Sequence, residues 1–444
     1  MSNLRLWPAF SSQIIAIVSE NASAQSPISE SWITNLLAQL YPLCRSITGD
    51  GTRATLDILA RECGLTMHEV STGSAVLDWR IPDEWSLRRA VLSGPSGIIA
   101  DTVSSNLHIV GYSEPCHGDF DLHTLSRHLH SLPDQPTLIP YRTSYYARTW
   151  GFCLAHDTLS ALGPGKYAVD IDTVLAPGAL SYGELLVPGR KREEVLVSTH
   201  VCHPALANDN LTGIVATLAL ADWAAAETRE YSYRFLFVPA TIGAIAWLAA
   251  NRDTVERIRH GLVLTGLGDG APLSYKRSRR GDAAIDRLMS HLLVGKGLIL
   301  DWSPYGYDER QFCSPGFDLP VGRLSRAPHG TYPEYHTSAD NLSFVDAAQV
   351  TAAIDLILTA FDAIEAGLVP RSLAPYGEPQ LGRRGLFRSV GGALDEGSRE
   401  YALLWLLSLA DGDHDLVDVA ERSGLPLADV LTSARLLRTA GLLA

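Results

Sequence analysis

The stretch Glu194-Val-Leu-Val-Ser-Thr-His200-Val-Cys-His203-Pro-Ala-Leu-Ala-Asn-Asp209-Asn-Leu-Thr-Gly213 joins a short apolar run to a polar loop, and then to an Ala/Leu-rich helical pattern reaching Ala226. A brief apolar run closed by polar residues reads as a buried strand, and Asn210–Ala226 as the helix after it. Tyr233-Arg-Phe-Leu-Phe-Val238 repeats the strand pattern, Ala244–Ala250 opens another helix, and Gly261-Leu-Val-Leu-Thr265 gives a third strand. Strand and helix in alternation predict an α/β fold with a mostly parallel sheet flanked by helices. In such sheets ligands bind beyond the C-terminal ends of the strands, where the polar loop falls.

The pattern changes on either side. Residues 1–28 carry no strong period and read as a leader. Residues 29–66 are helical in spacing, with Ile33, Leu36, Leu37 and Leu40, then Thr55, Leu56, Ile58 and Leu59, around the loop Cys44-Arg-Ser-Ile-Thr-Gly-Asp-Gly51. From 67 to 149 short alternating runs (Val76–Ile81, Ala90–Leu92, Gly97–Ala100, Leu107–Val110) predict an inserted β-rich domain, broken by a helix over Leu122–Leu132. The α/β pattern then occupies 150–370 and joins 29–66 as one domain. Residues 383–444 read as three helices, Arg399–Ala410, Leu416–Ser423 and Leu427–Ala440, an arrangement that resembles a winged helix.

With 444 residues, two or three domains are expected. A net charge of -13 argues against nucleic acid and anionic membrane surfaces, and the last 60 residues hold few basic side chains. The C-terminal module therefore reads as a dimerisation or lid element, which allows a homo-oligomer. No apolar run approaches the roughly 20 residues needed to span a bilayer, and no signal-peptide core opens the chain. A cytoplasmic protein with no membrane contact is expected. The six cysteines are scattered and read as reduced thiols, with Cys202 beside His203.

Two polar clusters carry chemistry. His200, His203 and Asp209 lie on the loop between a strand end and a helix start, and imidazole and carboxylate are zinc's usual non-sulfur ligands. Asp209 can bridge two ions or bind one; the competing reading is a helix cap. More than a hundred residues on, Pro328-His-Gly-Thr-Tyr-Pro-Glu334-Tyr335-His336-Thr-Ser-Ala-Asp340-Asn341 adds His336, for which no capping explanation exists. Ser338 and Asp340 read as caps. Asp269, in Leu267-Gly-Asp-Gly270, is a turn aspartate or the carboxylate of a second metal. The basic run Lys276-Arg277-Ser-Arg279-Arg280 is a solvated surface or a site for a carboxylate or phosphate.

Asn208-Asp-Asn-Leu-Thr-Gly213 after a strand-terminal histidine, with Tyr335-His-Thr-Ser-Ala-Asp340 near the end, resembles the first and last signatures of zinc aminopeptidases. Tyr41-Pro-Leu-Cys-Arg-Ser-Ile-Thr-Gly-Asp-Gly51, His203-Pro204, Ser303-Pro-Tyr-Gly-Tyr-Asp-Glu-Arg-Gln-Phe312 and Pro333-Glu-Tyr-His-Thr-Ser338 resemble more closely a bacterial aminopeptidase-like family. That family has an inserted β domain of unknown function and a C-terminal winged helix. The resemblance implies a zinc-dependent amide or peptide hydrolase with one or two zinc ions. Its ligands would be His203, Asp209 and His336, with His200 as a further ligand or a supporting group. The substrate would be a peptide or a small aminoacyl amide.

One departure stands out. Where zinc aminopeptidases end the second strand in two glutamates, the first a general base, this chain has Pro239-Ala240-Thr241. Neither Ala240 nor Thr241 takes a proton from water at neutral pH. Replacement bases are Glu334, Glu309 and Asp308, each with an ion pair as its competing explanation: to Arg326 for Glu334, and to Arg310 for the other two. Tyr305, Tyr307, Tyr335 and Arg310 are candidates to line the substrate pocket. The alternative is a binding protein that kept the fold and lost the base.

Overall fold

The computed structural model describes residues 28–387 and 399–444, so the expected leader lies outside the described residues up to Pro27. Helix α1 (Glu30–Leu40) starts where the Ser29 hydroxyl accepts the Trp32 amide, and it buries Ile33, Leu36, Leu37 and Leu40 along one stripe. Helix α2 (Asp50–Cys63) stops at Gly64, whose left-handed φ of 72° suits glycine. Strands β1 (Thr66–Ser71), β2 (Glu84–Gly94), β3 (Gly97–Asp101), β4 (Cys116–Asp121), β5 (Lys166–Ala176), β6 (Ala179–Val187) and β7 (Glu194–His200) follow. Next come helix α3 (Thr212–Ala225), β8 (Ser232–Val238), α4 (Ile242–Ala250), β9 (Ile258–Leu264), β10 (Ser274–Lys276) and α5 (Ala284–Leu293). Strand β11 (Leu298–Leu300), helix α6 (Glu309–Phe312), β12 (Val321–Ser325) and helix α7 (Ala347–Glu365) complete this part.

An eight-stranded sheet, ordered β1-β6-β8-β7-β9-β12-β10-β11, forms the frame. Its centre, β8-β7-β9-β12, is parallel, as the alternating pattern predicts, and antiparallel strands join it on both sides. Every residue of β7 and β8 is buried, because helices cover both faces of a parallel sheet. Helix α3 is apolar on all sides and almost wholly buried.

A second sheet, ordered β3-β2-β5-β4, is antiparallel throughout. Its extent differs from the expected 67–149. Strand β1 belongs to the edge of the large sheet, and β5, beyond 149, is an inner strand of the small one. The reason lies in β5, where Tyr167, Val169, Ile171 and Thr173 alternate inward and supply a buried face between β2 and β4. Leu107–Val110 is no strand but begins as a short 3₁₀ turn, and the helix expected over Leu122–Leu132 shrinks to Leu122–Leu125.

Residues 28–354 form one compact unit, and the described residues from 355 onward form another. The latter holds α8 (Arg399–Leu409), α9 (Leu416–Ser423) and α10 (Leu427–Thr439). Helix α9 is closed by a reciprocal cap, with Asp415 accepting the Asp418 amide and Asp418 the Asp415 amide. Bridges Arg371–Asp411 and Ser372–Leu443 draw in chain from before the expected start at 383. Among the described residues one helix, α7, is long and apolar enough to cross a bilayer, and half of it is buried inside the protein. Asp355 and Asp362 interrupt its apolar residues, so no unbroken apolar run marks it in the sequence.

Close packing between α3 and the sheet fixes the loop after β7. Asn210 Nδ2 donates to Thr199 Oγ1 (2.8 Å), and its Oδ1 accepts the Gly266 amide (3.2 Å), tying β7 to the end of β9. A Cβ on Gly213 would sit 2.4 Å from Asn210 Oδ1 and 2.6 Å from the Leu264 carbonyl. Gly213→Ala is therefore expected to cost about 1–3 kcal/mol, read as a lower denaturation midpoint. Gly270→Ala, with open space around it, should leave the midpoint unchanged. Equal midpoints for the two variants would refute the tight contact.

Candidate metal centre

His200 ends β7 and is wholly buried. Its Nε2 lies 2.8 Å from Asp209 Oδ1, while His336 Nε2 lies 3.0 Å from Asp209 Oδ2 and His203 Nε2 3.9 Å from the same oxygen. Imidazoles from two remote loops thus face one carboxylate. Burial alone would raise the Asp209 carboxyl, but His203 and His200 hold it well below the usual carboxylate range. Burial pushes His203 down to about 3, which keeps its ring neutral. An ionised carboxylate and a neutral imidazole are the forms in which such groups bind a divalent cation. Donor atoms of His200, His203 and Asp209 all lie within 4.8 Å of one another. Tetrahedral zinc with bonds near ~2.0–2.1 Å sets its donors about 3.3 Å apart, so the set fits with small adjustments.

The backbone around these groups is held from several sides. Asp340 accepts the amides of Asn208 (2.5 Å) and Asp209 (3.0 Å), and its own carbonyl accepts the Ala207 amide. Asp340 therefore clamps the first loop. Ser338 Oγ accepts the Ile139 amide (3.0 Å), so neither residue starts its own helix as expected. Arg45, fully buried in the Cys44–Gly51 phrase, donates Nε–H to the His203 carbonyl (2.9 Å). His336 adopts a left-handed φ of 56°, and its carbonyl accepts the Tyr141 amide (2.7 Å). The Tyr141 ring stands edge-on to His203 (5.1 Å) and His336 (5.0 Å).

A second wall comes from the Tyr305–Arg310 loop. Tyr307 is buried and stacks on His200 (5.1 Å), while Tyr335 stacks on His336 (3.8 Å). Tyr305 is 71% exposed and lies farther out. Both oxygens of Asp308 are buried with no hydrogen-bond partner among the described residues. Burial raises its carboxyl to about 7, with His200 among the groups that draw it down. Glu309 pairs through Oε1 with Lys276 Nζ (3.0 Å), and among the described residues neither carboxylate makes the expected pair with Arg310. Arg310 is half-buried, with its Nε unpartnered. Glu334 is half-buried without the expected Arg326 partner, because Arg326 donates to the carbonyls of Leu267, Ala271 and Gln349.

Two other features resolve as structure. Asp269 accepts from Asn208 Nδ2 (2.9 Å) and the Ala271 amide (2.8 Å), which makes it a turn and tether. In the basic run Lys276 meets Glu309, Arg277 meets Asp301, and Arg279 and Arg280 share Asp318, so most of its charge is paired within the fold. Cys202 is buried, its thiol pushed up by burial, and it accepts the Ala240 amide. His329 went unnoticed in the sequence. Its ring meets Tyr305, Tyr307 and Tyr335, its Nδ1 is buried without a partner, and burial lowers it to about 4. The available signal was its place in the phrase that supplies His336.

Strand register locates the departure from the aminopeptidase pattern. His200 pairs with Val238, so Ala240 and Thr241 lie just past the neighbouring strand tip, and no carboxylate is offered there.

Comparison with known proteins agrees with this architecture. A Clostridium acetobutylicum protein named for polysaccharide biosynthesis, with an aminopeptidase-like domain, is 41% identical over 416 residues, covering 91% of this chain and 96% of its own. A crystal structure of a candidate peptidase from Clostridium acetobutylicum superposes with a TM-score of 0.86 at 38% identity, covering 94% of this chain and 96% of that one. The zinc aminopeptidase BSAP from Bacillus subtilis shares the fold at a TM-score of 0.55 and 12% identity, over 76% of this chain and 95% of its own. Residues 368–444 match a winged helix-turn-helix family. Because residues 34–367 match the domain of unknown function DUF4910, the chain belongs to that family, on an aminopeptidase-like α/β fold with a C-terminal winged helix.

Proposed function

We propose that this chain is a zinc-dependent amide hydrolase of aminopeptidase type, with His200, His203, Asp209 and His336 as the groups that hold the metal. The observation that supports it most is the convergence of imidazoles from loops 127 residues apart on the single carboxylate of Asp209. Zinc bound there would polarise an amide carbonyl and make water more acidic. The rest falls to the chain. Asp308 is the carboxylate best suited to take a proton from the attacking water and pass it to the leaving amine, since it is buried, unpartnered and in the electrostatic reach of His200. Glu309 is held by Lys276, and Glu334 is the comparison case. Tyr307, Tyr335 and His329 would line the substrate side, and Arg310 is a further candidate there.

The substrate class is a peptide or small aminoacyl amide, and the biosynthetic name of the Clostridium acetobutylicum relative favours a small pathway intermediate. All six cysteines are free thiols, which suits a reducing compartment and favours the cytoplasm. A second reading, a metal-holding binding protein, is favoured by one observation, the absence of a carboxylate at Ala240.

Zinc titration against a chromophoric chelator should show uptake by the purified protein. Asp209→Asn and His336→Ala should abolish it, and Asp340→Ala should weaken it by ~10–100-fold through the loosened loop. Failure of the wild-type protein to take up zinc would end the metal proposal.

On zinc-loaded protein, Asp308→Asn should lower kcat towards aminoacyl amides by ~10²–10⁴-fold while zinc content stays constant. Glu334→Gln should retain most activity. The reverse ranking would move the base to Glu334, and no turnover of any aminoacyl amide by the wild type would favour the binding reading.

A further inference from the structure

Beside Ala240 lies a cavity of about 130 Å³ that the proposed chemistry leaves unused. Ile47, Trp79, Tyr145, Tyr146, Ala240 and Ile245 form its main walls, and no charged side chain lines it. Four separate stretches build it. Ile47 comes from the Cys44–Gly51 phrase, Trp79 from a short hairpin, the tyrosines from the segment before Trp150, and the rest from the junction of β8 and α4. Ile47 and Ile245 are buried, whereas Trp79 and Tyr146 are 49% and 51% exposed with ring centroids 6.0 Å apart. Large aromatic side chains left open around an apolar hollow are a usual mark of a ligand site.

The cavity adjoins the metal centre along two routes. The Ala240 amide donates to Cys202 Sγ (3.3 Å), which lies 3.6 Å from His203 Nδ1. Tyr145 Oη lies 3.3 Å from Tyr141 Oη, and the Tyr141 ring meets both His203 and His336. Each route puts one intervening residue between a cavity wall and a ligand imidazole. The residue that lacks the expected carboxylate is itself a wall, and a glutamate there would bring a charge to an apolar surface.

We infer that this cavity receives an aromatic ring carried by the substrate amide. The size fits, since an apolar cavity of about 150 Å³ accepts benzene. The lining fits a flat uncharged ring, because aromatic and aliphatic walls give dispersion and edge contacts. A sugar ring fits less well, because its hydroxyls would lose water against Ile47, Ile242 and Ile245 with few polar partners in return. This inference deepens the hydrolase reading and depends on it for the word substrate, while the pocket's ring preference stands by itself.

Both parts separate in one set of measurements on the full chain. In metal-free protein, calorimetric titration with 3-phenylpropanamide should show binding at least about tenfold tighter than propanamide, and Trp79→Ala should erase the difference. On zinc-loaded protein, Trp79→Ala should lower kcat/KM about tenfold for phenylalaninamide or alanine benzylamide and leave alaninamide within twofold. Tyr146→Ser, at a second exposed wall position, should act in the same direction and guards against misfolding of the first variant. Ring preference in binding without any turnover would sink the hydrolase reading and keep the pocket. Equal binding of both amides, a preference untouched by Trp79→Ala, or tighter binding of methyl glucoside than of phenylpropanamide would overturn the pocket assignment.

Discussion

A negative charge with no solvent contact governs this architecture. Asp209 is fully buried, and no lysine or arginine meets it at contact distance among the described residues. Desolvating a lone carboxylate is costly enough that the group normally neutralises, yet here it stays ionised because imidazoles surround it. The compensation comes from His200 at a strand tip, His203 on the following loop and His336 from a loop far along the chain. The backbone that carries these groups is held in turn by the Asp340 clamp on the Asn208 and Asp209 amides, by Arg45 on the His203 carbonyl and by the Tyr141 amide on the His336 carbonyl.

Behind the centre, buried polar groups satisfy one another in place of a purely apolar core. Asn208 donates to Asp269 and accepts from Gly268, and Asn210 spans β7 and the end of β9. Buried networks of this kind set one geometry, because any slip leaves a polar atom unpaired. They also explain why Asp269 is spent on structure, although its position near the strand ends resembles that of a ligand.

Much of this was legible in the chain itself. The unbroken apolar run of β7 and β8, the all-round apolar α3 and the polar loop between them gave the sheet centre and the site at its edge. Period-based reading faltered where partners decide placement. Strand β5 alternates like any half-buried strand, and only pairing reveals that it lies inside the small sheet. The charges of Arg279 and Arg280 looked free because Asp318, which pairs with both, is some forty residues away. His200 and His203 could not be ranked by spacing, and both prove to face Asp209. His329 carries no periodic signal, since its importance arises from three tyrosine rings around it.

The absence of a carboxylate at Ala240 and the presence of one at Asp308 belong together. A buried acid with no hydrogen bond costs about 1–3 kcal/mol or more, and nearly all comparable groups in folded proteins find partners. Asp308 keeps that cost although Arg310 is two residues away and Lys276 already serves its neighbour Glu309. Had β8 ended in glutamate, two uncompensated acids would have crowded the buried His200 and Asp209, each raising the other's pKa. Moving the single acid from the strand tip to the loop before α6 avoids that repulsion. It also leaves the tip apolar at Ala240, so in the proposed reading proton exchange and ring binding fall to different loops.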